Sequence, residues 1–349
     1  MRRIVIIGGL GQFGRTAADE LRVLGVPFVT AARRGNADLQ IDANDDASIQ
    51  SALRADDVVI DTAGPFHSRS TALVEAATRI GFDVIDINDD LRYAEAVLAF
   101  ESQIKAAGIR VLSSASTVSA VSAAFIRNSG IATPRRVTAF LAPASRHTAN
   151  AGAALSLIRS IGQPVRVHRD GHLTELTGWS ESRTFQMPTP LRTMRGRLFE
   201  SADAVHLPRI WPTLLDVAMY VDTNTPGVNT LLRCAAHSPA LRRFLKRQSR
   251  LGTRIARKFG SSAGGIGYEI EDGSGQVTQF SIVAEKNSFI TAIAPAVLAA
   301  QALAVDQFSQ HGLVAPDRHV EPAHLFAYLQ SRGIALHSTN GSRGVSDSE

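Results

Sequence analysis

RIVIIGGLGQFG, residues Arg3 to Gly14, is the stretch on which the fold turns. Ile4, Val5, Ile6 and Ile7 form an unbroken β-branched apolar run, the pattern of a strand buried on both faces. Gly8-Gly9-Leu10-Gly11-Gln12-Phe13-Gly14 follows at once and contains G-x-G-x-x-G at Gly9, Gly11 and Gly14. From about Gly11 to Leu24 the apolar residues fall at helical spacing, and Gly25 closes the run as a C-cap would. Strand, glycine loop and helix in that order suit a dinucleotide: Gly9 for the tight turn, Gly11 for backbone approach to a pyrophosphate, Gly14 for close helix packing. Gln12 and Phe13 complete the loop, whose free N–H groups face the anion at the positive helix end.

Working outward, residues 1 to about 118 alternate short β-branched runs with helical patterns. Strands are expected at Arg3 to Ile7, Phe28 to Ala31, Leu39 to Asp42, Asp57 to Thr62, Asp83 to Ile87 and Arg110 to Ser113. Helices are expected from about Arg69 to Ile80 and Leu91 to Ala107, closed by Gly81 and Gly108. The alternation predicts an α/β fold with a doubly wound parallel sheet, a Rossmann domain.

An NAD site places a carboxylate at the end of the second strand to bind the ribose hydroxyls. Here the stretch reads Thr30-Ala31-Ala32-Arg33-Arg34. Ala32 leaves room, and Arg33 and Arg34 supply charge-assisted donors for a 2′-phosphate, so NADP(H) is expected over NAD(H). Asp42 either borders the adenine or is a turn residue. Farther on, Ala63-Gly64-Pro65-Phe66 after the fourth strand and Ser116 after the sixth lie where ligands of parallel sheets bind, outside the strand ends. His67 is the first candidate proton donor, because imidazoles exchange protons near neutrality; a structural role is the competing reading. Asp86, ending the fifth strand, either orients substrate or is a satisfied strand-end carboxylate.

After residue 118 the rhythm changes. TVSAVSAAFIRNSG reads as a helix, Val137 to Ala142 as a strand, Gly152 to Ile161 as a helix, HRDGH (168 to 172) as a turn. GIGYEIEDGSGQVTQFSIVAEK reads as a hairpin about DGSG. A second, mixed α+β domain for substrate or dimerisation is expected at 121–290, after a Rossmann domain at 1–120. Helices at 291–336 are expected to return to the Rossmann domain, and 337–349 to form a disordered tail. In the second domain Arg146 could offer a cation to a substrate carboxylate or phosphate, and Trp179 is either an apolar wall or core.

The chain has 349 residues, 44% of them hydrophobic, enough for two cores. It lacks a long uncharged apolar stretch or a signal-peptide pattern, so no transmembrane segment and a cytoplasmic location are expected. Its single cysteine, Cys234, excludes an internal disulfide and is read as a small core residue. Histidines lack metal-ligand spacing, so no metal is expected. The net charge of +5 is concentrated between Arg233 and Lys258. There Leu241, Phe244, Leu245, Leu251, Ile255 and Phe259 recur at roughly helical spacing among Arg and Lys. That pattern is an amphipathic helix, either docked by its apolar stripe or available to an anionic partner, carrier or membrane surface. Basic residues are not interleaved with aromatics as in a nucleic-acid module, so no nucleic-acid partner is expected; a homodimer is allowed.

GGLGQFG, DVVIDTAGPFHSRSTALVEAATRIGFDVIDIND and YAEAVLAFESQIKAAGIRVLSSAS together resemble the saccharopine dehydrogenase (saccharopine reductase)-like NADP-binding family. The likeness covers roughly residues 1 to 125, with a looser echo in GLVAPDRHVEPAHLFAYLQSRGI. It implies a Rossmann domain, an inserted mixed α/β substrate domain, and hydride transfer to or from a C=N or C=C bond of a small or carrier-bound metabolite. Many relatives carry a Gly/Pro-rich turn where this chain has Ser113-Ser114-Ala115-Ser116-Thr117-Val118, and residues 145 to 260 match no saccharopine or polyamine site. A short-chain dehydrogenase is excluded, since none of Tyr93, Tyr220, Tyr268 and Tyr328 has a lysine four residues on. The alternative from another class is a catalytically silent NADP(H)-binding sensor or assembly protein acting through the basic helix.

Overall fold

The computed structural model describes residues 1–149 and 151–341. Along the first part run β1 (Ile4–Ile7), α1 (Gln12–Val23), β2 (Phe28–Ala32), β3 (Leu39–Gln40), α2 (Asp46–Ala52), β4 (Val58–Asp61) and α3 (Ala72–Ile80). Next come β5 (Asp83–Asp86), α4 (Leu91–Leu98), α5 (Glu101–Ala107), β6 (Arg110–Leu112) and α6 (Ala120–Ser129). The middle holds β7 (Pro134–Ala142), α7 (Ser145–Thr148), α8 (Ala151–Ser160), β8 (Pro164–Arg169), β9 (His172–Thr177), β10 (Ser182–Gln186), β11 (Thr193–Phe199), α9 (Asp203–Ile210) and β12 (Asp216–Val221). It ends with α10 (Val228–Ala236), α11 (Pro239–Arg247), α12 (Ser249–Phe259), β13 (Gly264–Asp272) and β14 (Val277–Ala284). The last elements are α13 (Phe289–Ala304), β15 (Gly312–Leu313), α14 (Pro322–Ser331) and β16 (Ala335–Gly341). These elements gather into two compact units: Met1–Ala124 with Phe289–Leu329, and Phe125–Ser288 with the described residues 330–341.

The first unit is a parallel sheet in the order β15-β6-β5-β4-β1-β2-β3, the doubly wound Rossmann arrangement with one added edge strand. Its central strands are apolar without alternation because helices cover both faces: Ile4, Val5, Ile6, Val58, Val59 and Ile60 have no exposed surface. α13 packs on α1, β4 and β5, and the Tyr328 hydroxyl on α14 donates to the buried Glu20 of α1 at 2.6 Å, so both C-terminal helices return to this unit.

Local chemistry moves several element ends. The expected third strand stops at Gln40, because Asp42 N bonds Ser48 Oγ and the chain turns into α2, capped by Asp45. The helix expected from Arg69 starts at Ala72, since Arg69 is held in a buried ion pair with Asp61. The long helix expected over Leu91 to Ala107 is broken at Ala99-Phe100, where the Phe100 ring packs against the core.

The second unit carries a mixed nine-stranded sheet, β10-β11-β12-β7-β13-β14-β16, with β8 beside β12 and β9 beside β8. β7 lies at its centre, parallel to β12 and antiparallel to β13. The β13–β14 hairpin turns at Asp272, whose Oδ1 accepts from Ser274 N and Gln276 N. Phe140 stacks on Phe185 and Tyr220 inside the sheet's core. A smaller cluster of Ile161, Trp179, Leu232 and Ala235 anchors the helices, so Trp179 is core.

Three expectations are corrected here. Residues 337–341 of the expected disordered tail belong to β16, which pairs with β14 from Val283↔Ala335 to Val277↔Gly341; residues 342–349 lie outside the described part. Cys234 is exposed, on the outer side of α10. The single basic helix is two, α11 and α12, parted at Gln248.

Candidate functional site

The glycine loop between β1 and α1 is fixed by contacts that exclude side chains. Gly8, not Gly9, supplies the left-handed turn residue, with φ +79°; a Cβ there would lie 2.8 Å from Thr62 Oγ1 and 2.9 Å from Ala63 N. Gly9 is required for a different reason: its Cβ would fall 2.8 Å from Thr30 Cβ on β2. A Cβ on Gly14 would sit 2.6 Å from Gly9 Cα and closer still to Gly8 O, so α1 touches the loop backbone to backbone. Gly11 meets only Gly8 O, at 3.1 Å, leaving its outer side open. Gly11 is also the N-cap of α1, with no side-chain cap and no acidic residue in the first turn. The N–H groups there have no built-in anion to satisfy them.

One of the two loop side chains expected at the nucleotide is engaged elsewhere. The Phe13 ring meets Phe289 of α13 edge-on at 5.0 Å, which leaves its backbone to the loop. Gln12 is exposed at the first turn. At the end of β2, Arg33 and Arg34 are both exposed. Arg33 faces Asp42 at 3.8 Å, an exposed pair worth little to stability. Asp42 Oδ1 also accepts from Asn44 N, as a turn residue does. The carboxylate nearest β2 is Asp38, which the Thr30 backbone N–H and hydroxyl engage at 2.7 Å each; these bonds lower its pKa.

The turn after β4 leans on the glycine loop through Thr62, whose Oγ1 donates to Ile7 O at 2.8 Å. It runs through a cis Gly64–Pro65 peptide into a short 3₁₀ turn at Phe66–Ser68. Ala63 is half-buried and Gly64 and Pro65 are exposed, while the Phe66 ring is buried at 5.2 Å from Tyr93. Beneath the turn lies a pair the sequence reading missed. Arg69 Nη2 meets Asp61 Oδ2 at 2.7 Å, Nη1 meets Oδ1 at 3.2 Å, and Nη1 also donates to Ala63 O at 2.7 Å. Both side chains are buried, so this bidentate pair fixes the turn's backbone. Its signal was present: a charge ending the apolar run VVID needs a counter-ion, and Arg69 follows eight residues later.

Asp86 at the end of β5 is wholly buried. Its Oδ1 accepts from Ser114 N at 2.8 Å and Asn88 N at 3.0 Å, and its carbonyl accepts from Ala115 N at 2.7 Å. The carboxylate thus anchors the loop after β6, where Ser114 has φ +61° and Ser116 Oγ donates to Val118 O at 3.4 Å. Burial pushes the Asp86 pKa up to about 6, against the lowering by those two backbone N–H groups. His67 is half-buried in the 3₁₀ turn. The structure therefore groups the glycine loop, the Ala63–Phe66 turn, His67, Asp86 and Ser116 in the first unit, at the C-terminal ends of its strands. Arg146 belongs to the second unit, on α7, exposed and with Nε donating to Gly260 O at 3.2 Å.

A parallel sheet in this order, with a glycine loop at the β1–α1 turn, defines the Rossmann class of dinucleotide-binding folds. In fold the chain is similar to a saccharopine dehydrogenase. It superposes on apo saccharopine dehydrogenase (L-Glu forming) from Saccharomyces cerevisiae with a TM-score of 0.63 at 13% identity, over 98% of this chain and 100% of the yeast one. Weaker likeness is found to GenD2 from gentamicin A biosynthesis in complex with NAD (TM-score 0.44, 12% identity, 97% of each chain). An oxidoreductase from Thermotoga maritima gives a TM-score of 0.38 at 12% identity, over 95% of this chain and 97% of that one. No family model matches the chain, and no curated protein matches it in sequence.

Proposed function

We propose that the protein is an NADP(H)-dependent oxidoreductase acting on a C=N or C=C bond of a small or carrier-bound metabolite. The observation that carries this reading is the loop from Gly8 to Gly14, closed against Thr30, Thr62 and its own backbone, with no side-chain cap and no acidic residue to engage the main-chain N–H groups at the start of α1. Those groups suit a diphosphate. Arg33 and Arg34, exposed after a β2 strand that carries no carboxylate of its own, suit a 2′-phosphate; Asp38 is engaged by Thr30, and Asp42 releases Arg33 at little cost because their pair is solvated. The turn Ala63-Gly64-Pro65-Phe66 and Ser116 border the nicotinamide end through their backbone.

A reduced nicotinamide, when bound, supplies a hydride equivalent. The chain's own part is position and protons. His67, on the turn fixed by Asp61 and Arg69, hands a proton to the substrate. Asp86 is too buried to touch substrate and is a positioning residue, holding the 113–119 loop through Ser114 and Ala115. Arg146 offers a cation to a substrate carboxylate or phosphate.

The test is calorimetric titration with NADPH and with NADH. Charge-assisted hydrogen bonds contribute about 1.5–3 kcal/mol each, so Arg33→Ala/Arg34→Ala weakens NADPH binding by roughly tenfold or more and leaves NADH nearly unchanged. Failure of the wild type to bind either nucleotide ends the reading. Binding with equal affinity for both, untouched by the substitutions, removes the NADP preference.

A further inference from the structure

Between Asp222 and Glu269 the chain has no acidic residue, while nine basic ones lie from Arg233 to Lys258. α11 and α12 carry most of them. The structure shows how this segment divides its apolar side chains. Leu241 and Leu245 turn inward onto Ile161, Trp179 and Leu232, and Arg242 secures α11 by donating to Ile161 O and Gly162 O at 2.9 and 2.6 Å. Arg257 secures α12 through Ala149 O at 2.9 Å. The other four of the six are left outside. Phe244 is 57% exposed, Leu251 51%, Ile255 41% and Phe259 60%. Leu251, Ile255 and Phe259 are four residues apart and so share one face of α12, with Arg250, Arg254 and Lys258 beside them. Lys258 lies over the Phe259 ring, 5.3 Å from its centre.

We propose that the exposed face of α11 and α12 docks on an anionic lipid surface, with Phe244, Leu251, Ile255 and Phe259 entering the headgroup region and the arginines and lysines pairing with lipid phosphates. Charge decides among occupants. A second copy of the chain, meeting this face across a two-fold axis, would set these basic residues against one another with no acid on the face to offset them. A bilayer with acidic headgroups supplies the missing negative charge and a solvent for the aromatic and aliphatic tips. Among the described residues no helix is long and apolar enough to cross a membrane, so contact of this kind is peripheral. The proposal is independent of nucleotide binding, which is read on the other unit.

The experiment is flotation of the full chain with vesicles of phosphatidylcholine and phosphatidylglycerol, and with phosphatidylcholine alone, over a salt series. Flotation with the mixed vesicles only, weakening as salt rises, is expected. Arg250→Gln/Arg254→Gln then reduces binding about thirtyfold, and Phe244→Ser/Phe259→Ser at least about tenfold, with circular dichroism and the thermal transition of the second unit reporting that both variants stay folded. The salt and lipid dependence of the wild type decides the matter even where a variant misfolds. No flotation at low salt overturns the proposal, as does equal flotation with uncharged vesicles. A lipid-independent dimer abolished by the same substitutions also overturns it and assigns the face to a second copy.

Discussion

Asp86 and His319 are buried titratable groups of the first unit whose environments act in opposite directions. Burial raises Asp86 to about 6, above the 3.9 or so of an unfolded carboxylate. Its contribution is therefore complete below about pH 4 and is lost as pH rises through 6. His319, buried with Nε2 on Val314 O at 3.1 Å, is lowered by burial to about 4. The unfolded chain takes up that proton near 6.5, so its contribution is present above that pH and is lost as pH falls toward 4. Each effect is worth up to about 3 kcal/mol, and between pH 4 and 6 the two slopes offset one another. Asp86→Asn keeps an acceptor for Ser114 N and Asn88 N while removing the titration. The variant should gain stability at pH 7, and its stability should then fall more steeply on acidification than that of the wild type. Denaturant unfolding at pH 4.5 and pH 7 checks this, and an unchanged profile would show that Asp86 is ionised without cost. None of this was legible in the sequence: Asp86 was visible as a strand end, but burial of both oxygens is a property of the neighbours that β4, β6 and α4 bring to it.

Elements were read best where one residue type has one physical use. The Gly8–Gly14 loop was legible because only glycine fits contacts this short, although the left-handed position fell on Gly8 and not on Gly9. Gly14→Ala gains up to about 1 kcal/mol of helix propensity but drives a Cβ into the Gly8–Gly9 backbone. Overpacking of this kind costs about 1–3 kcal/mol, so the variant should melt lower and bind NADPH weakly. Gly11→Ala is the contrast: its Cβ meets only Gly8 O, so the fold should hold while nucleotide affinity drops. Equal melting temperatures for the two variants would sink the packing argument. Periodicity could not show the break at Ala99-Phe100 or the delayed start of α3, since a docked ring and a buried ion pair decided those ends. The same limit applies to the basic segment, whose apolar spacing continued across Gln248 although the helix did not.

At the scale of the whole molecule the last described strand completes the sheet of the second unit. β16 gives β14 a full-length antiparallel neighbour, so the segment read as a polar tail protects an edge. Truncation after Ile334 should leave β14 exposed, lower the thermal transition of the second unit and promote association, while the first unit still binds NADPH. Scanning calorimetry with and without nucleotide separates the two, and a truncated chain that melts like the full one would refute the role given to β16. The sequence alone specified the parallel sheet, the glycine loop, the mixed second unit and the returning apolar helix, because strand and helix periodicity and glycine sterics are local rules. Tertiary structure alone decided that Asp61 and Arg69 pair under the turn, that Asp86 is buried, that residues 335–341 form a strand and that four of the six apolar side chains on α11 and α12 face outward. Burial and pairing depend on which residues distant in the chain come together, and no local pattern of amino acids specifies that.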